Sequence, residues 1–297
     1  VNASVCRKGL NRPDEPPKIN QDNLFKIKFG DINYSFYGVC DGHGPKGHDV
    51  SEYVKYNFPH IVYQSLKTQL IKNNTISSEI DPKIHSYISD LFFNCFNIMQ
   101  SKLDTNKEID QELSGTTCVS ILFCSNKIIC ANVGDSRSLL GKKKNNKWKF
   151  QLLSRDHKPG DKDESERIYS CSGVVHPYID DDGNYLGPNR VWKVDDELPG
   201  LAMSRSFGDK VAKEVGVIAE PEVKIFDYEI GDKFVVIASD GLWEYVSNEE
   251  VLDIVSFFYD VKDCDGAVGK LCEVAHMRWI KYDEYIDDIS IIVIFLE

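Results

Sequence analysis

No stretch of this 297-residue chain approaches the 18 or so consecutive apolar residues that a membrane-spanning helix needs. The opening segment, Val1 to Lys8, holds no apolar h-region, so no signal peptide is visible. The chain starts at Val1 rather than Met, which leaves room for an upstream segment carrying targeting information. A Cys-x-x-Cys pair is also lacking, which argues against a zinc ribbon or a thioredoxin-type site. Of the nine cysteines, Cys40, Cys118, Cys124 and Cys130 sit inside apolar runs and read as small buried hydrophobes. A reducing compartment, cytoplasmic and/or nuclear, is expected, where the sequons at Asn2 and Asn73 carry no meaning. Basic charge is scarce. Lys and Arg number 35 against 47 Asp and Glu, a net charge of -12, which argues against a nucleic-acid partner because phosphate contacts need clustered cations. Low-complexity segments, internal repeats and an obvious linker are absent. With 42% hydrophobic and 28% charged residues the bulk of the chain is not disordered, and one domain covering 1–297 is expected.

What is present is an alternation of strand-like and helix-like segments. Leu24–Phe29 and Tyr34–Cys40 read as strands joined by a Gly-Asp-Ile-Asn turn, and Thr116–Cys124 and Lys127–Val133 as a hairpin broken at Ser125-Asn126. Further strands are expected at Trp148–Leu153, Val223–Tyr228, Lys233–Ser239 and Ile289–Leu296. Asp49, with Glu52 three residues on, resembles a capping box opening a helix toward Leu70, which Pro59 should kink or restart. Other helices are expected over Pro82–Leu103, Glu164–Cys171, Asn248–Tyr259 and Gly266–Tyr282. Short hairpins favour antiparallel pairing, so the fold class is α+β, with sheets covered by helices. Val174–Pro199 is rich in Asp, Gly and Pro without periodicity and reads as a long surface excursion.

The chemistry gathers where strands end. Asp41, Asp135 and Asp240 each follow an apolar run, Asp287-Asp288 opens the last strand, and Asp22 precedes the first. One Asp beside Gly marks only a turn. Five acidic sites at strand boundaries instead point to oxygen ligands for a hard divalent cation.

In order along the chain, the following blocks resemble the PP2C (PPM) family of metal-dependent serine/threonine phosphatases. They are Asn20-Gln21-Asp22, Tyr37 to Gly44, Ser114 to Thr117, Ala131 to Arg137, Asp156 to Pro159, Pro199 to Asp209, Ala238 to Trp243 and Asp287 to Ser290. The resemblance implies two central antiparallel β-sheets sandwiched between layers of α-helices, and hydrolysis of phosphoserine and phosphothreonine in protein substrates. It also implies two Mn²⁺ or Mg²⁺ ions. Asp41 would bridge them, the Gly42 carbonyl would bind one, and Asp240 and Asp287 would complete the other's surroundings. A hydroxide bridging the two metals would attack phosphorus in line. His43 would act as general acid on the leaving alkoxide. Asp135, shared with Asp240, would hold a weaker third metal, with Glu244 at a position where Asp is common in the family.

Two departures stand out. Gln21 replaces a glutamate that many members carry before Asp22, so Asp22 would act directly or through a water. Gln21 also favours an alternative reading: a catalytically weak pseudophosphatase serving as a binding or regulatory module. Where many members place a phosphate-holding Arg, this chain has Pro17 with Lys18 adjacent; Lys18 is the expected phosphate holder, the alternative being a solvated surface lysine. Val174–Pro199 matches the family's variable flap.

Three competing motifs fail on their surroundings. Gly42 to Gly47 matches G-x-G-x-x-G, but Pro45 interrupts it and no acidic residue follows in Ile61–Leu70. Cys272 and Arg278 have the spacing of a cysteine phosphatase, but the intervening residues are glycine-free and helix-prone. Asp180 to Asn184 lacks the first and last ligands of a calcium loop. His157, Trp192 and Trp243 are expected to be structural, and Arg205 and Asp209 to form a supporting ion pair.

Overall fold

The computed structural model describes residues 1–73 and 82–296; the sequon that begins at Asn73 runs beyond the described residues. The strands in chain order are β1 (Asn2–Arg7), β2 (Asp22–Phe29), β3 (Tyr34–His43), β4 (Gly115–Thr116), β5 (Cys118–Cys124), β6 (Lys127–Val133), β7 (Arg137–Lys144) and β8 (Lys147–Leu152). They continue as β9 (Gly173–Ile179), β10 (Tyr185–Lys193), β11 (Pro199–Leu201), β12 (Phe207–Gly208), β13 (Glu222–Asp227), β14 (Asp232–Ala238) and β15 (Ile289–Phe295). The helices are α1 (Gly47–Asn73), α2 (Pro82–Thr105), α3 (Lys162–Ser170), α4 (Lys210–Lys213), α5 (Asp240–Trp243), α6 (Asn248–Asp260) and α7 (Cys264–Tyr282).

Two antiparallel sheets stack face to face. One runs β1-β15-β14-β7-β8, the other β12-β4-β3-β5-β6-β13 with β2 added on β3. The central strands β5, β6, β14 and β15 read as nearly unbroken apolar runs because both their faces are covered. In β14, Val235 and Ile237 point into the layer between the sheets with Ile292, Ile294, Val119 and Ile121. The alternate residues Phe234, Val236 and Ala238 pack under α6 and α7. The other sheet buries Phe36, Cys118 and Leu122 beneath α1 and α2. The result is the expected α+β sandwich of two antiparallel sheets between helical layers.

Three local expectations are corrected. Helix α1 opens at Gly47, two residues before Asp49, because the Lys46 carbonyl accepts from Asp49 and Val50 while the Lys46 amide donates to Ser114 Oγ at 2.9 Å. It then runs through Pro59 without a break. Val50, Val54, Phe58, Val62 and Leu66 form a buried stripe on the sheet, and that packing outweighs one missing amide. Third, Val174–Pro199 is an antiparallel hairpin, β9 on β10, with β11 alongside. Its turn is held by Asp180 Oδ1, which accepts from the amides of Asp182 and Asn184. The strand tips are exposed on both faces, so the period of two that normally betrays a strand is missing.

Candidate active site

The carboxylates converge because the strands that carry them end together. Asp22 and Asp41 are cross-strand partners in the β2–β3 ladder, and Asp41, Gly42 and His43 are the last three residues of β3. β14 and β15 are antiparallel neighbours, so Asp240, just after β14, and Asp287, just before β15, leave the same end of that sheet. Asp135 follows β6.

The groups sense one another strongly. Burial, and then the charges of Asp240, Asp22, Asp287 and Asp135, push the Asp41 carboxyl well above the ordinary carboxylate range. Asp240 is raised in the same way, by burial and then by Asp287 and Asp135. Asp22, only 4% exposed, is pushed up to about 7, by burial first and then by Asp288 and Asp287, against the stabilising bond from Ser239 Oγ at 2.7 Å. Like charges held this close are costly unless cations join them.

Two ammonium groups already do so. Lys18 pairs with Asp287 and lies 3.6 Å from Asp288, while Lys158 Nζ sits 2.5 Å from Asp135 Oδ2. Lys18 is therefore no solvated surface lysine: its side chain is 17% exposed and pinned to the acidic cleft. Asp22 Oδ1 and Asp135 Oδ1 are buried without a hydrogen-bond partner. Among the described residues, no three His, Cys, Asp or Glu side chains close round a single point as a ready-made metal cage. An all-oxygen donor set with orphaned carboxylate atoms nonetheless fits Mg²⁺ or Mn²⁺, which take one or two carboxylates each and fill the remaining positions with water. Glu244 lies exposed at the end of α5.

His43 has a partner that its sequence neighbours do not announce. Its Nε2 donates to Asp209 Oδ2 at 2.7 Å, since a carboxylate can only accept. Burial disfavours a charged imidazole, but the charge and hydrogen bond of Asp209 outweigh it and raise the His43 pKa. Burial of Asp209 is likewise outweighed by His43, Lys213 and Ser206, and its carboxyl is held low. Asp209 is fixed by Ser206 Oγ at 2.5 Å and stands in the left-handed backbone region at φ 51°. The expected Arg205–Asp209 ion pair is corrected: Arg205 reaches instead to the fully buried Glu164, which also binds Arg167 and Ser204.

The loop after β3 is braced from β2. Gln21 Nε2 donates to the Gly44 carbonyl at 2.8 Å, and the Gln21 carbonyl accepts from the Gly42 amide at 3.2 Å and from Ser51 Oγ. A Cβ at Gly42 would run into the carbonyl oxygens of Gly47 and Gln21, so only glycine fits between them. Gln21 thus has a structural task that needs an amide. The rejected motifs stay rejected: α1 opens only at the last of the glycines, Gly47, with Pro45 inside the loop before it, and Cys272 and Arg278 lie in α7. His157, Trp192 and Trp243 are buried, as expected of structural residues.

Sequence reasoning singled out neither Lys158 nor Ser239, and it named Asp209 and Asp288 without their partners. Asp288 is buried and accepts from the amides of Gly9 and Gln21 at 2.7 and 2.9 Å, tying the N-terminal segment to the cleft. Only long-range pairing reveals what each of them does.

An oxygen-rich acidic cleft at the ends of two stacked sheets, served by a histidine–aspartate pair, is the outline of a metal-dependent hydrolase. The Protein phosphatase 2C family model matches residues 18–276. A probable protein phosphatase 2C of Arabidopsis thaliana is 35% identical over 288 residues, covering 94% of this chain and 73% of the relative. A second from the same organism is 33% identical over 95% of this chain and 80% of its own length. Among solved structures, the serine-threonine phosphatase 2C of Toxoplasma gondii superposes with a TM-score of 0.83 at 20% identity, over 100% of this chain and 94% of that one. The chain belongs to the protein phosphatase 2C family of metal-dependent serine/threonine phosphatases.

Proposed function

We propose that the acidic cleft is where this serine/threonine phosphatase removes phosphate from phosphoserine and phosphothreonine in proteins. In this reading Asp41, the Gly42 carbonyl, Asp22, Asp240 and Asp287 hold two divalent cations, Mn²⁺ or Mg²⁺, and Asp135 with Asp240 a weaker third, Glu244 standing nearest in sequence. The observation that carries it is the convergence of Asp22, Asp41, Asp240 and Asp287 at the ends of neighbouring strands, with Asp22 Oδ1 and Asp135 Oδ1 buried and unpartnered, an electrostatic cost that bound cations offset. When bound, paired divalent cations supply Lewis acidity, acidifying water and neutralising charge on phosphoryl oxygens.

The chain's own residues do the rest. His43, whose pKa Asp209 raises, gives its proton to the departing alkoxide from Nδ1, the ring nitrogen that has no protein partner. Asp209 positions the ring and never touches substrate. Gln21 holds the Gly42–Gly44 loop, and with it the Gly42 carbonyl, against β2. Lys18 is the cation proposed to meet the substrate phosphate, exchanging Asp287 for it; Lys18→Met then raises KM for a phosphopeptide with little change in kcat.

Residues 1–297 are read as one catalytic domain, with 174–199 as its flap. Among the described residues no helix is long and apolar enough to cross a membrane. Nine unpaired cysteines support a reducing compartment, cytoplasmic and/or nuclear. The test is phosphate release from a phosphothreonine peptide in Mn²⁺, Mg²⁺ or EDTA, beside Asp240→Asn. Activity that needs metal and dies in the variant supports the assignment; full activity in EDTA or in Asp240→Asn removes it.

A further inference from the structure

The β2 strand is an edge. Among the described residues only β3 pairs with it, so from Leu24 to Phe29 its outer row of amides and carbonyls meets no other strand. Beside that edge lies an open groove of about 360 Å³, between β2 and the outer face of α1. Ile27 to Asp31, Lys28 included, line it from the strand and its turn, and Tyr56, Pro59, His60 and Tyr63 from the helix. Tyr56 is 66% exposed, and Tyr63 is fixed by its hydroxyl, which donates to Asp31 Oδ2 at 2.6 Å.

The side chains of β2 sort by face. Phe25 and Phe29 are buried beneath α1, so Ile27, of the same parity, points to the groove side, while Lys26 and Lys28 point to the other face. Both lysines are exposed, and neither forms an ion pair with a described residue. Two free cations on one strand edge stand out on a chain of net charge -12.

We propose that this edge and groove dock an extended segment of a partner protein in which acidic and apolar residues alternate. Added to β2 as a further strand, such a segment satisfies the free backbone groups. Its apolar side chains fall over the groove beside Ile27 and Tyr56, and its carboxylates stand opposite Lys26 and Lys28, where opposite charges across a ladder stabilise and like charges destabilise. That same rule disfavours a second copy of this chain, whose β2 would set lysine against lysine. The groove begins at Ile27, about 17 Å along the strand from Asp22, and the free edge at Leu24, about 7 Å from it, so a segment ending at Leu24 stops short of the catalytic cleft.

The probe is a fluorescein-labelled octapeptide alternating glutamate with valine, titrated by anisotropy onto the full chain in Mg²⁺. Saturable binding in the micromolar range is expected, weakened at least tenfold by Lys26→Glu with Lys28→Glu and several-fold by Tyr56→Ala. The lysine–valine counterpart should prefer the double variant. Turnover of p-nitrophenyl phosphate, unchanged in all three proteins and unaffected by the peptide, shows that the variants fold and that the site is separate. No saturable binding, or binding indifferent to charge reversal, overturns the proposal and leaves Lys26 and Lys28 as guards against edge aggregation. Displacement of the peptide by inorganic phosphate, or a β2-to-β2 dimer, overturns it too.

Discussion

Asp209→Asn isolates the one interaction at the cleft that carries no metal. Asparagine keeps the size of the side chain and tolerates the left-handed backbone that Asp209 adopts at φ 51°, so the backbone there should not move. What disappears is a carboxylate 2.7 Å from His43 Nε2. Two unit charges about 4 Å apart at an effective dielectric near 20 interact by about 4 kcal/mol, which bounds the lost imidazolium stabilisation at roughly a thousandfold in rate. A positioned general acid contributes about 10²–10⁴, so a loss on the order of 10² is expected for a phosphothreonine peptide. For p-nitrophenyl phosphate, whose leaving group departs without a proton, the loss should be less than about threefold. The assay is kcat on both substrates at saturating metal, with a thermal melt of each protein. Equal losses on the two substrates, or none on either, would refute the dyad argument; so would rescue of the peptide rate by added metal.

Glu164→Gln should cost about 3 kcal/mol, the low end for breaking a buried ion pair, because Arg167 and Arg205 keep some contact with water. Burial of Glu164 is outweighed by Arg167, Arg205 and Ser204, which hold its carboxyl far below its usual range. Its contribution is therefore fully present above the unfolded value of about 4.3 and lost as pH falls toward the folded one, so urea midpoints of wild type and variant should converge in that acid window. Asp240→Asn relieves repulsion around Asp41, so in EDTA it should melt at or above the wild-type temperature while losing the stabilisation that Mn²⁺ or Mg²⁺ gives the wild type; a lower melting temperature in EDTA would count against the charge argument. Gln21→Glu exchanges the donor to the Gly44 carbonyl for an acceptor and should destabilise by about 1 kcal/mol by denaturant titration, with isothermal titration reporting whether the added charge tightens metal binding.

The sequence by itself carried the layers and the metal-side chemistry. β14 and β15 are apolar on both faces, α1 carries a buried stripe, and Asp41, Asp240 and Asp287 sit where strands stop; each of these is a local pattern fixed by the period of the backbone. The β9–β10 hairpin stayed hidden because a ribbon exposed on both faces has no alternation to read. Pro59 misled because a local penalty was outbid by packing that only the assembled sheet supplies. The proton-holding side of the cleft was likewise decided in three dimensions. His43 and Asp209 are 166 residues apart, Lys18 and Asp287 are 269 apart, and no spacing rule couples residues at such distances. The turn that puts Asp209 against the end of β3 is set by the β12–β4 pairing and the Ser206 bond, and the β2 edge becomes an edge only when no other strand covers it. Periodicity fixes which way a side chain points, whereas the side chain it meets depends on how the sheets are stacked.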